Sequence, residues 1–203
     1  MITFLLVRHG QTEWNRIERF RGRADLDLNA VGLEQARKTA NRIRRKWKPD
    51  AIFSSPLKRA LQTASAIGEE TGLLARPVPA LMDIDYGDWQ GYSPDEARTR
   101  WPLEVDAWFL HPEQADIPNG ESLLGVQKRA MSLVWKLTET STDATYVLVS
   151  HTVVNRLVLL GILGAGLDHF WGLGQDPCAI NLFEFLEGRF TLRAMNDVCH
   201  LEA

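Results

Sequence analysis

The sequence is poor in cysteine, in long apolar runs and in any excess of positive charge, and each shortage removes a class of protein. Cys178 and Cys199 are the only cysteines among 203 residues and form no C-x-x-C pair, so a disulfide scaffold is excluded and a reducing compartment is expected. No stretch approaches the roughly 18 apolar residues of a membrane span. The run at 2–7 meets Arg8-His9 before it reaches the length of a signal segment, and no basic segment precedes it. These absences predict a cytoplasmic protein with no membrane partner. Lys plus Arg number 23 against 26 Asp plus Glu, a formal net charge of -3, which gives no global field to attract nucleic acid. There is no H-E-x-x-H, no close Cys/His spacing and no G-x-x-x-x-G-K-[ST]. The glycines at 161, 164 and 166 lack the preceding strand and following helix of a dinucleotide fingerprint. Neither a metal nor a nucleotide cofactor is expected.

What is present alternates between strand and helix. Residues 2–7 form a continuous apolar run of β-favouring types, as in a strand buried on both faces of a parallel sheet. From a candidate N-cap at Asn29, Leu33, Ala36, Ala40, Ile43 and Trp47 recur at helical spacing until Pro49. Residues 51–54 predict a second strand, and Ser55-Pro56 the N-cap and first-turn proline of a helix running toward Gly68. Six of the nine prolines and three of the seven tryptophans fall in 77–120, where no long period survives. That segment predicts an insertion over the sheet, a small cap at about 82–120, with Trp101, Val105 and Trp108 on one helical face. A further helix from Glu121 presents Leu123, Val126, Ala130, Leu133 and Leu137. Residues 145–149 read as a strand, 153–160 as a helix, and 179–186 with 189–194 as two strands around a tight turn. The alternation predicts a single α/β domain over residues 1–203.

Sheets of this kind bind ligands beyond the carboxyl ends of their strands. Arg8-His9 follow the first strand, Ser54-Ser55-Pro56 with Arg59 the second, and Ser150-His151 a later one. Arg8, His9, Arg59 and His151 would concentrate positive charge inside a slightly acidic protein, which suits a compact dianion such as phosphate. Guanidinium forks donate paired hydrogen bonds to phosphoryl oxygens, and helix N-termini after Gly10, Pro56 and His151 would add backbone donors. One imidazole can attack phosphorus while the other, with the arginines, balances the charge of in-line transfer. A carboxylic acid is still needed to protonate the leaving oxygen.

The residues themselves resemble a family. Leu6-Val7-Arg8-His9-Gly10-Gln11-Thr12-Glu13-Trp14-Asn15 is similar to the Arg-His-Gly signature of the histidine phosphatase superfamily, which includes the cofactor-dependent phosphoglycerate mutases. The likeness continues through Arg21-Gly22-Arg23-Ala24-Asp25, Gly32-Leu33-Glu34-Gln35-Ala36, the stretch Ser54 to Ala64, the stretch Asp83 to Gly91, Gly120-Glu121-Ser122 and Val149-Ser150-His151. It covers nearly the whole chain, in order, and points to the short bacterial-type phosphatases of the family. The resemblance implies a three-layer α/β/α sandwich with a mostly parallel sheet and a small helical cap. It also implies that His9 becomes phosphohistidine and that Arg8, Arg59 and His151 hold the phosphoryl group. Gly10, Gln11, Thr12, Asn15, Arg21, Gly22 and Thr152 are then the substrate-binding positions.

At the proton donor the sequence departs from the family, whose usual residue is glutamate. Here the segment reads Leu81-Met82-Asp83-Ile84-Asp85-Tyr86-Gly87-Asp88-Trp89-Gln90-Gly91. Asp83 takes the family position one methylene shorter, with Asp85 and Asp88 in reserve. A bound phosphate dianion raises the pKa of a nearby carboxyl and helps keep it protonated. Arg16, Arg19 and Arg23 read as solvated charges, and Trp101 and Trp108 suit an apolar or ring-bearing substrate.

The expected activity is therefore a metal-independent phosphatase acting on a small phosphorylated metabolite. A phosphoglycerate mutase is the alternative, but a mutase must shield its bisphosphorylated intermediate from water. Only 67 residues lie between Asp83 and His151, which leaves a small cover and favours hydrolysis. A non-catalytic phospho-ligand binding module is the third reading; it would not need His9.

Overall fold

The apolar run after Met1 forms strand β1 (Ile2–Arg8), a central strand of the sheet, in a computed structural model that describes residues 1–202. A one-turn helix α1 (Glu13–Arg16) and a loop lead to α2 (Ala30–Lys46), whose N-cap Asn29 accepts from the Gly32 N–H. Then come β2 (Ala51–Ser54), α3 (Lys58–Thr71) and β3 (Ala75–Pro77). Short helices α4 (Pro94–Arg100) and α5 (Pro102–Leu110) fill the proline-rich segment, followed by α6 (Leu123–Thr140), β4 (Ala144–Ser150) and α7 (Thr152–Leu163). The hairpin β5 (Ile180–Leu186) and β6 (Arg189–Asp197) ends the sheet.

The strand order is β3-β2-β4-β1-β5-β6, parallel from β3 to β1 and antiparallel beyond. Alternation along β1 divides the core. Leu5 and Val7 pack with Ala40 and Ile43 of α2 and with Ala60, Ala64 and Ile67 of α3. Phe4 and Leu6 face the layer that contains Val126, Ala130 and Val134 of α6 and Val154, Leu157 and Val158 of α7. Each fully buried side chain of this size contributes about 1.5–3 kcal/mol, and a one-residue slip would exchange the two faces. That sets the register of Val7 against Val149 and of Arg8 against Ser150. The result is a three-layer α/β/α sandwich. No helix among the described residues is long and apolar enough to cross a membrane.

Several local expectations shift. Leu33 is 52% exposed, because the buried stripe of α2 runs through Gly32, Ala36, Thr39, Ala40 and Ile43. On α6 the core position is Val134, with Leu133 only half-buried. Helix α3 starts at Lys58 with Leu57 as N-cap, so Ser55 is not the cap; its hydroxyl instead accepts from the Leu57 N–H and reaches the site described below. Trp101 lies at the junction of α4 and α5, against Tyr92, while Val105 and Trp108 are buried. Both cysteines are free, Cys178 buried and Cys199 exposed.

The chain leaves β1 toward the α2 face and leaves β4 toward the α7 face, and the two strands are neighbours. Their carboxyl ends therefore border a crevice where the connections part, the usual ligand position of an open parallel sheet.

Candidate active site

The backbone after β1 is pinned before any side chain acts. His9 N–H donates to Ser150 O at 2.9 Å, joining the ends of β1 and β4, and Gly10 N–H donates to Thr63 Oγ1 at 3.1 Å. A Cβ on Gly10 would lie 2.5 Å from Gly32 O, and one on Gly32 would lie 2.1 Å from Gln11 O. Both glycines are needed so that the loop can press against the start of α2.

This brings the predicted residues from three strand ends and the segment after β3 into one buried cluster. His9 Nδ1 lies 2.7 Å from Gly10 O. A carbonyl only accepts, so Nδ1 carries the proton and Nε2 keeps its lone pair. Arg59 Nε donates to that Nε2 at 3.3 Å. The same guanidinium donates from Nη1 to Ala24 O and from Nη2 to Gly22 O, each at 2.7 Å, and from Nη2 to Asp83 Oδ2 at 3.1 Å. Asp83 Oδ1 accepts from the Ile84 N–H, while Oδ2 also lies 3.7 Å from His151 Nδ1. His151 Nε2 is 2.8 Å from Ser55 Oγ, and its Nδ1 has no hydrogen-bond partner among the described residues. The His9 and His151 ring centroids are 5.1 Å apart. Arg8 is held by a hydrogen bond from Nη1 to Gln175 O.

Burial sets the charge states. Desolvation first, then Arg59, drives both His9 and His151 well below the usual imidazole range. Both rings are therefore neutral at pH 7. Desolvation also raises Asp83, against the opposing pull of Arg59 and Arg21. Burial and Arg21 bring Arg8 down to about 9, which leaves it charged at neutral pH.

The histidine shifts carry a sign for stability. Below about pH 6.5 the unfolded chain protonates these imidazoles while the folded chain does not. Stability therefore rises with pH in that window and is lost as pH falls from 6.5 toward the depressed values. Each fully buried histidine adds a slope of about 1.4 kcal/mol per pH unit there. Melting temperature is expected to drop between pH 7 and pH 5, and the drop should be smaller in a His151→Gln variant. An equal drop in both proteins would contradict the assignment of neutral buried histidines.

A cavity of about 390 Å³ opens beside the cluster. Of the predicted positions, Arg8, Asn15, Arg21, Asp83 and Thr152 line it. His9, Arg59 and His151 are buried and do not line it; Arg59 and His151 lie beside Asp83, and His9 connects to Asp83 by way of Arg59. Arg21 Nε and Thr152 Oγ1 are buried with no partner among the described residues. Gly10, Gln11, Thr12 and Gly22 do not line it. The Gly10 and Thr12 N–H groups are committed to Thr63 and Asn15, Gln11 is tied to Gln35 and Asn29, and Gly22 O accepts from Arg59. These residues position the loop. Asp85 and Asp88 are engaged elsewhere, Asp85 with Arg23 and the Gly87 N–H and Asp88 with Asn119. Arg23 also pairs with Glu121, and Arg16 with Glu13. Arg19 lines the cavity rather than being merely solvated, and pairs with Glu96.

Sequence reasoning passed over Tyr86, Arg156, Trp171 and Gln175, which line the cavity with Glu18, Phe20, Trp108 and Phe109 among others. For Arg156 a signal existed, since it follows Thr152 by four residues on the helix after Ser150-His151. Arg8, Arg21 and Arg59 act together on the buried carboxyl of Asp83, and this excess of guanidinium groups favours an anion.

Comparisons with known proteins bear on the family and the fold. The sequence model described as the histidine phosphatase superfamily (branch 1) matches residues 4–198. Phosphoserine phosphatase 1 of Hydrogenobacter thermophilus is 33% identical over 201 residues, covering 99% of this chain and 95% of that protein. Among solved structures, YhfR of Bacillus stearothermophilus superimposes with a TM-score of 0.94 at 28% identity, covering 99% of this chain and all of the other. A mutant phosphoserine phosphatase of Entamoeba histolytica, in complex with phosphoserine, superimposes with a TM-score of 0.88 at 28% identity and covers 99% and 100% of the two chains.

Proposed function

The chain belongs to the histidine phosphatase superfamily, branch 1, and from that premise we propose that it is a metal-independent phosphomonoesterase working through phosphohistidine on His9. The observation that carries the reading is the tautomer of His9. Its Nδ1–H is spent on Gly10 O, which leaves Nε2 unprotonated against Arg59, the arginine that also pairs with the buried carboxyl of Asp83.

In the first half-reaction His9 Nε2 attacks phosphorus and the bond to the leaving oxygen breaks. Protonated Asp83 gives its proton to that oxygen, and the alcohol departs. Arg8, Arg59 and His151 bear the charge on the phosphoryl oxygens, and the Nδ1–H bond to Gly10 O stabilises the phosphorylated ring. In the second half-reaction Asp83, now a carboxylate, takes a proton from water as its oxygen attacks phosphorus. The P–N bond breaks and phosphate leaves, with His9 neutral and Asp83 protonated again. Asn15, Arg21 and Thr152 contact the substrate from the cavity wall. Asp83 fills the place of the family's glutamate, and its position against Arg59 and His151 supports the donor role.

Phosphate release from a panel of phosphomonoesters tests the reading. With a strong chelator present, turnover is expected to stay within about twofold of its value without chelator, since no step uses a metal Lewis acid. Loss of turnover on chelation, restored by a divalent cation, would overturn metal independence. Isomerisation of a phosphoglycerate faster than its hydrolysis would identify a mutase instead.

A further inference from the structure

The far wall of the cavity carries a cation that the phosphoryl chemistry does not use. Arg156 stands on α7 four residues beyond Thr152, so the two share a helix face about 6 Å apart along the axis. Both line the cavity. The Arg156 guanidinium is fixed from several sides. Its Nε donates to Leu173 O at 2.7 Å, and its Cζ lies 5.0 Å from the Phe170 ring centroid and 4.8 Å from that of Trp171. Trp171 is braced in turn, donating from Nε1 to Trp108 O at 2.7 Å and stacking on Phe109 at 5.3 Å.

Of the cavity's other arginines, Arg19 pairs with Glu96, while Arg8 and Arg21, assigned above to the phosphoryl end, have no carboxylate within ion-pair distance among the described residues. Among the described residues Arg156 has none, although it is half-buried. Leaving a guanidinium partly desolvated and without a carboxylate is costly unless a ligand completes it. With Nε committed to Leu173 O and the Phe170 and Trp171 rings beside the guanidinium, the two Nη groups are the donors left to a ligand. That fork matches the paired oxygens of a carboxylate, and its prior immobilisation reduces the ordering cost of binding. Arg156 also acts electrostatically on Arg8, at the phosphoryl end of the same cavity.

We infer that Arg156 is a specificity-determining residue that pairs with a carboxylate on the substrate, so the site selects short phosphomonoesters bearing a carboxylate. The inference rests on the proposed phosphomonoesterase reading for the location of the phosphoryl end.

Arg156→Met and Arg156→Lys variants test it on matched pairs of esters: O-phosphoserine and 3-phosphoglycerate against phosphoethanolamine and glycerol phosphate, which lack the carboxylate. In Arg156→Met the KM of the carboxylated esters is expected to rise on the order of 10- to 100-fold, with kcat little altered. The carboxylate-free esters should lose far less, and lysine should restore part of the loss. Calorimetric binding of the same esters to His9→Ala protein, with and without the Arg156→Met change, should show the same split without turnover. Equal losses on both ester classes, or no preference of the unaltered protein for the carboxylated ones, would overturn the assignment. If no ester is turned over yet the binding split persists, the phosphomonoesterase reading fails and Arg156 as the carboxylate partner stands. If esters are turned over without the split, phosphomonoesterase activity stands and Arg156 is not the carboxylate partner.

Discussion

Replacing His9 by alanine is expected to lower phosphate release by a factor on the order of 100,000, the scale seen when a nucleophile acting within a coupled unit is removed. The loss should fall on kcat, because Arg8, Arg21 and Asn15 still line the cavity that binds the ester. The fold should survive. Among the described residues the His9 side chain makes two polar contacts, with Gly10 O and Arg59, and its removal relieves the cost of keeping an imidazole neutral in the interior. Rapid-quench mass spectrometry of the unaltered protein during turnover should find one added phosphoryl group on the peptide containing His9, labile to acid and stable to base. Its absence, or turnover surviving in His9→Ala, would exclude the covalent route.

The second large effect is expected at Asp83. Asparagine keeps the shape and removes the transferable proton, so loss of general acid-base catalysis should cost on the order of 100- to 10,000-fold. The loss should be greatest for alkyl phosphates, whose alkoxide leaves poorly without a proton, and least for nitrophenyl phosphate, whose phenolate needs little help. A uniform loss across leaving groups would assign Asp83 to holding Arg59 rather than to proton transfer. The pH profile gives an independent reading. His9 is free to attack above its depressed pKa, and Asp83 can donate below its raised one. Activity therefore falls with rising pH as Asp83 ionises, and that alkaline limb should vanish in Asp83→Asn. Asp83→Glu should retain much of the activity, because glutamate restores the family's residue at the cost of one methylene in a buried pocket.

Much of the architecture was legible in the residues. The run at 2–7 reads as a strand with both faces covered, and Leu5 and Phe4 do face opposite helical layers. Helix positions were readable where one face alternates strongly, as at Ala36, Ala40 and Ile43. They blurred where apolar residues adjoin: Leu33 for Gly32, and Leu133 for Val134. In each case packing against a neighbouring element selects between residues of similar local propensity. The cluster of Arg8, His9, Arg59 and His151 was legible because strand ends converge at one edge of a parallel sheet, and that rule needs only the order of elements.

The site's inner organisation was not legible. That Gly10, Thr12 and Gln11 spend their polar groups on Thr63, Asn15, Gln35 and Asn29 follows from the approach of α2 and α3, which no local pattern encodes. The resemblance singled out Asp83 with Asp85 and Asp88 in reserve, but the contacts that separate the three, Arg59 and His151 beside Asp83 alone, come from the packed structure. The sequence by itself determined the layered sheet, the edge that carries the chemistry and the phosphate-binding residue types, because periodicity and strand order act through short-range backbone geometry. Tertiary structure alone decided which nitrogen of His9 keeps its lone pair, which carboxyl is buried, and that Arg156 has no acidic partner among the described residues. Those outcomes depend on desolvation and on partners distant in the chain, and they exist only once the layers have closed.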